Sequence, residues 1–130
     1  MGLPFRVFWE EEACDQLRAV NASREVTIAR QVRLAKTLWA RSRGLLGRKG
    51  LEPDEGLLID PCSGIHTFGM AFPIDAALLT REGTVVHLIH GMVPWRISRY
   101  LFRARSVLEL PAGTLGRTGT EVGDRLVFED

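Results

Sequence analysis

The stretch that decides the fold is Ile74-Asp75-Ala76-Ala77-Leu78-Leu79-Thr80, then Arg81-Glu82-Gly83, then Thr84-Val85-Val86-His87-Leu88-Ile89-His90-Gly91-Met92. Two apolar runs of strand length flank three residues of turn chemistry, where Gly83 takes positive φ without steric cost. That arrangement predicts a β-hairpin over residues 74–92. Short strand signals continue on both sides at similar spacing. Gly56-Leu57-Leu58-Ile59-Asp60 precedes the hairpin and stops at Pro61, and Ile65 to Met70 reads as a further strand. Ser106 to Leu110 follows, stopped by Pro111-Ala112-Gly113, and Arg125 to Glu129 is entered through Gly123-Asp124. Many short strands punctuated by turns predict a β-sandwich or barrel.

Upstream, residues 24–35 alternate. Val26, Ile28, Val32 and Leu34 share one parity, which reads as a half-buried strand or hairpin arm. Thr37 is placed to cap a short helix from Leu38 to about Leu46. Trp9 to Val20 carries Ala13, Leu17 and Val20 at helical spacing, with Glu10, Glu11 and Glu12 at its start. Residues 1–23 are therefore expected to form a helical extension and residues 24–130 a single β-rich domain.

The chain's 130 residues suffice for one domain with its own core. Seventeen basic residues against sixteen acidic ones give a net charge of +1, so no global field draws it to nucleic acid or an anionic membrane. No apolar run approaches the ~20 residues a membrane helix needs. Met1 to Leu17 lacks the apolar core of an export signal, so no membrane insertion and a cytoplasmic location are expected. Two cysteines, Cys14 and Cys62, do not make a disulfide framework.

An ordered set of motifs runs through the chain: Arg41-Ser-Arg-Gly44-Leu45-Leu46-Gly47, Glu55-Gly56-Leu57-Leu58, Ile65-His66-Thr67-Phe68-Gly69-Met70, Ile74-Asp75, Val93-Pro94-Trp95-Arg96, Val107-Leu108-Glu109-Leu110-Pro111-Ala112-Gly113 and Gly123-Asp124. In order and spacing this resembles the uncharacterised domain-of-unknown-function family number 192, over about residues 24–130. The resemblance implies a compact, mostly antiparallel β domain, sandwich- or jelly-roll-like, with one short helix after the first strands. It implies no activity. Many relatives have a Trp-Met pair followed by Lys-Asn-Thr where this chain has His66-Thr67-Phe68-Gly69-Met70, and many begin with an export signal.

Three clusters carry candidate chemistry. Cys62, His66 and Asp75 hold the parts of a nucleophilic site, namely a thiol, an imidazole to take its proton and a carboxylate to orient the ring. Against that, each of these side chains has an ordinary structural use. Glu109 sits in an apolar strand, with Val107 on its own face and Leu108 and Leu110 on the other. A buried carboxylate there must be paired, with Arg41 or Arg96 as partners, or its pKa rises. His66, Thr67, Asp75, Trp95, Arg96 and Glu109 together would suit a groove for a small polar ligand, with Trp95 as wall and Arg96 as fork. Cys62 and His66 form one loose ligand pair, and His87 and His90 differ in parity, so no metal and no cofactor are expected.

Arg96, Arg99, Arg103 and Arg105 lie within ten residues that hold no acid, beside Trp95, Tyr100 and Phe102. Basic plus aromatic is raw material for single-strand nucleic-acid binding. A near-zero total charge favours a solvated loop instead, and the apolar Tyr100-Leu101-Phe102 suits a protein interface. The reading that emerges is a binding module for a small polar ligand or a protein partner. The alternative is a cysteine-dependent hydrolase or acyl-transfer enzyme using Cys62, His66 and Asp75.

Overall fold

The computed structural model describes residues 17–36, 45 and 47–130. Seven strands form one curled sheet: β1 (Leu17–Asn21), β2 (Val26–Ala35), β3 (Glu55–Ile59), β4 (Ile74–Leu79), β5 (Val85–Met92), β6 (Ser106–Pro111) and β7 (Leu126–Glu129). A five-residue helix, α1 (Thr114–Thr118), precedes β7. The order across the sheet is β5-β4-β6-β3-β2-β1-β7. The sheet curls far enough that its two end strands meet at one corner. Val85 N–H donates to the Asp124 carbonyl at 2.8 Å, and Thr84 bridges Arg125. The result is a half-barrel, which places the chain in the mainly β class that the strand pattern predicts.

Both faces of the sheet are buried, as β4 shows with six buried residues in a row. One face packs Val32, Leu58, Leu79, Leu108, Leu110, Leu115 and Phe128. The other packs Leu57, Ile59, Ile65, Met70, Ile74, Leu78 and Val107. The parity split of Leu108 and Leu110 from Val107 is thus real. Gly56 lies where the faces crowd, since a Cβ there would stand 3.2 Å from Leu110 Cδ2.

Two expectations are corrected, and one strand pair is parallel in an otherwise antiparallel sheet. The helix over Trp9–Val20 is overturned where the structure describes it, because Leu17–Asn21 is a strand paired with both β2 and β7. Leu17 and Ala19 are buried and Arg18 is exposed, so a two-residue period prevails over the helical spacing of Leu17 and Val20. The remaining part of that segment, and the helix expected over Leu38–Leu46 apart from Leu45, fall outside the described residues. Residues 65–70 make a single bridge, His66 to Ile97, not a strand. Finally, β2 and β3 pair in parallel, because the connection between Ala35 and Glu55 is long enough to cross over.

The helix α1 escapes sequence reading, since Gly113, Gly116 and Gly119 look like turn residues. Gly113 and Gly119 occupy the left-handed region at φ 96° and 68° and bound the helix at both ends. Near the same corner, Asp124 accepts from Arg24 Nε (2.6 Å), Asn21 Nδ2 (2.9 Å) and the Glu121 N–H (2.9 Å).

Candidate functional site

Two loops of the half-barrel, residues 60–73 and 93–105, are laced together, and Thr67 is their hub. Its N–H donates to the Arg96 carbonyl (2.8 Å), and its carbonyl accepts from Trp95 N–H (3.0 Å). The fully buried hydroxyl donates to the Val93 carbonyl (2.7 Å) and accepts from the Arg96 N–H (2.9 Å). Further along, Ile65 N–H donates to Ser98 Oγ (2.8 Å), Ser98 N–H to the Ile65 carbonyl (2.8 Å) and Leu101 N–H to the Ser63 carbonyl (3.0 Å). A Cβ on Gly64 would lie 3.0 Å from the Arg99 carbonyl, so this close approach favours glycine. Thr67→Val keeps the shape and removes both hydroxyl bonds. We expect it to cost about 2 kcal/mol in denaturant unfolding and to speed exchange of the Arg96 amide. Unchanged exchange at Arg96 would refute the hub.

What the laced loops hold out is aromatic. His66 and Phe68 rings lie 5.0 Å apart, and Phe68 stacks on Trp95 at 5.9 Å. His66 Nδ1 accepts the Phe68 N–H at 3.2 Å. Trp95 is 64% exposed, and its φ of 66° is a conformation that a bulky residue adopts only when its surroundings impose it. Thr67 imposes it from below. Arg96 is exposed alongside, and Ile97, Tyr100 and Phe102 extend the apolar surface, Phe102 being 86% exposed.

Of the residues expected to share a ligand groove, the structure brings together His66, Thr67, Trp95 and Arg96, with the Thr67 side chain spent on backbone. Asp75 and Glu109 go elsewhere, and to opposite faces of the sheet. Asp75 pairs across from Leu110, and Ala76 from Glu109. The fully buried Asp75 carboxylate accepts three backbone N–H groups: Gly91 at 2.8 Å, Gly113 at 3.0 Å and Leu115 at 2.9 Å. It caps the start of α1 and ties it to the end of β5. The relay Cys62–His66–Asp75 is therefore not assembled, because its orienting carboxylate is committed to backbone. Cys62 Sγ donates to the Gly64 carbonyl at 3.0 Å.

Glu109 is 4% exposed between Leu57 of β3 and Ala76 of β4. Desolvation pushes its pKa up from 4.5 to about 8. Arg96 does not pair with it: its Nη1 donates to the Trp95 carbonyl at 3.3 Å. Arg41 lies outside the described residues. No cluster of three or more His, Cys, Asp or Glu side chains that could hold a metal occurs among the described residues.

A groove of about 360 Å³ runs between Val86 and His87 of β5 and the loop from Arg99 to Arg103. Its lining holds two guanidinium groups and no carboxylate. The run of arginines and aromatics in the sequence signals this surface. Phe68, Ile97, Val86 and His87 were not among the expected site residues, since their placement depends on the bridge and on how the sheet ends.

The family model described as "Uncharacterized ACR" (DUF192) matches residues 19–128. The crystal structure of a "putative transcription regulator" from Sinorhizobium meliloti 1021 is similar at 31% identity and a TM-score of 0.71, over 85% of this chain and 89% of that one. A protein of unknown function from Novosphingobium aromaticivorans DSM 12444 shares the fold at 21% identity and a TM-score of 0.73, over 85% and 81%. No curated protein matches the chain.

Proposed function

The chain belongs to the domain-of-unknown-function family 192, and since membership brings no activity with it, we propose from the site itself that this is a non-catalytic binding module whose partner is a protein with an acidic surface. The observation that carries the reading is Trp95, held out at φ 66°, 64% exposed and stacked on Phe68. A fold that holds a tryptophan in a strained, solvated position has a use for it there. Trp, Tyr and Arg dominate the energetics of protein interfaces, and a contiguous apolar surface rimmed by charge is their usual setting. Arg96, Arg99 and Arg103 give that rim one sign, which favours carboxylates opposite.

A small polar ligand such as a sugar has less support, because the carboxylates Asp75 and Glu109 that would grip its hydroxyls are buried away from the platform. The Sinorhizobium protein's name suggests nucleic acid. Phosphate-dominated binding ordinarily uses about six or more contacts, and three arginines on this face fall short of that.

The test replaces Trp95 by the photo-crosslinker benzoylphenylalanine in the full chain, expressed in its native cells. The expected result is a crosslink from position 95 to a discrete protein, mapped to an acidic segment of it. The same crosslinker at Gln31, exposed on β2 and four strands across the sheet from β5, should not give that product. Trp95→Ala should weaken the isolated complex by about thirtyfold or more. Identical products from both positions would overturn the proposal, as would quenching of Trp95 emission by a simple glycan.

A further inference from the structure

The sheet's two ends are finished differently. The β7 end is short, four residues, and carries the Arg18–Glu129 ion pair. The β5 end is eight residues long, and its stretch Val86-His87-Leu88-Ile89-His90 holds no Lys, Arg, Asp, Glu or Pro. Natural sheets blunt exposed edges with such residues to prevent stray pairing. At its start the outer edge of β5 is already used, since Val85 exchanges bonds with Asp124 and Gly123, both at 2.8 Å. At its far end the Gly91 N–H turns to Asp75. Between these points, among the described residues, β4 is the only strand that pairs with Val86–His90. Five residues make an open ladder of roughly 17 Å.

The groove lies against this edge, with Val86 and His87 on one side and Arg99, Tyr100, Phe102 and Arg103 on the other. Among the described residues, neither Arg99 nor Arg103 has a carboxylate within ion-pair distance, whereas Arg18, Arg24, Arg30, Arg48 and Arg105 all do. An open edge supplies backbone donors and acceptors in a row, and two uncompensated guanidinium groups stand beside it.

We propose that β5 receives an extended acidic peptide segment of the partner as an added strand, its backbone pairing with Val86–His90 and its carboxylates meeting Arg99 and Arg103. This rests on the protein-binding reading above and specifies how the partner is held. Strand addition draws affinity from main-chain hydrogen bonds and specificity from side chains in flanking pockets. A peptide backbone matches such a ladder and a nucleic-acid strand does not, although both would be drawn by the arginines.

The experiment uses the full chain, labelled with nitrogen-15, and the probe peptide acetyl-Glu-Val-Glu-Val-Glu-Val-amide. The expected result is cross-peak shifts confined to residues 86–90 and 99–103, with amides of Val86–His90 that exchange at least about tenfold more slowly under saturating peptide. N-methylation of alternate peptide nitrogens should abolish binding in one register and spare it in the other, because only every second N–H faces the edge. The double variant Arg99→Glu, Arg103→Glu should weaken binding by about a hundredfold, roughly tenfold for each arginine. No protection of Val86–His90 at millimolar peptide overturns strand addition, and so does equal binding of both N-methylated peptides. Tighter protection of the same residues by an oligothymidylate overturns it in favour of nucleic acid. The crosslink from position 95 reads the platform separately. Failure there with intact peptide binding sinks the platform, and the converse sinks the strand.

Discussion

Glu109→Gln flattens the pH dependence of stability between about pH 5 and 8.5. In the wild-type chain Glu109 has a folded pKa of about 8 against 4.5 in the open chain, because burial between Leu57 and Ala76 disfavours its charged form. Below pH 4.5 both states hold the proton and no difference arises. Between the two values the folded state keeps a proton that the unfolded state has released, so stability falls as pH rises. Above about 8 both have released it and the loss is complete. A shift of that size corresponds to roughly 4–5 kcal/mol at full development. Groups shifted the other way do not obscure it. Asp124 feels a burial penalty, but Arg24, Asn21 and the Glu121 N–H hold its carboxyl below the usual range. Glu55 likewise stays low against its own burial through the Glu52 N–H and Arg48. Their contributions are present above the unfolded carboxylate range and are lost only on acidification. The measurement is guanidinium unfolding of both proteins at unit steps from pH 5 to 9. Curves that run parallel for wild type and Glu109→Gln would show that burial does not hold the proton on.

How much of this was legible follows from which residues carry local information. The hairpin 74–92 was readable because Gly83 marks the turn and both arms are apolar, and Gly83 does sit at φ 93°. The position of Glu109 against its neighbours was readable from parity, since period two needs nothing beyond the strand itself. The strand Leu17–Asn21 was not, because Leu17 and Val20 also fit a helix and the decision comes from pairing with two distant strands. Thr67 was expected among the residues of a ligand groove, and its hydroxyl has a different role: it ties two loops and presents Trp95. The open edge of β5 was invisible for a plainer reason. Whether a strand ends a sheet depends on all the other strands, and no residue within Val86–His90 announces it.

Asp75→Ala is the substitution with the largest expected loss among those that touch no proposed binding surface. One carboxylate satisfies three N–H groups from two segments distant in sequence, Gly91 at the end of β5 and Gly113 and Leu115 at the start of α1. Truncation leaves all three donors without their acceptor, two of them on one oxygen, and the Leu115 N–H among them is buried. An unsatisfied buried donor costs about 1–3 kcal/mol and bonds to an ionised acceptor lie at the strong end, so with Leu115 buried and Gly91 and Gly113 open to water a loss of about 3–4 kcal/mol is expected. Asp75→Asn retains one oxygen, which can serve Gly113 and Leu115 while its NH2 confronts Gly91, and should lose about 2 kcal/mol. Denaturant unfolding orders the three proteins, and amide exchange places the damage. Gly91, Gly113 and Leu115 should lose protection before the rest of the sheet. The same bonds decide the cysteine-enzyme alternative. For Asp75 to orient His66 it would have to abandon all three, so the catalytic geometry is reached only at a cost near that of the alanine variant. If Asp75→Ala unfolds within about 1 kcal/mol of wild type, that barrier is absent and the carboxylate is available for chemistry. If Asp75→Asn is destabilised as expected but still crosslinks its partner from position 95, the acid supports the scaffold and the platform does the binding.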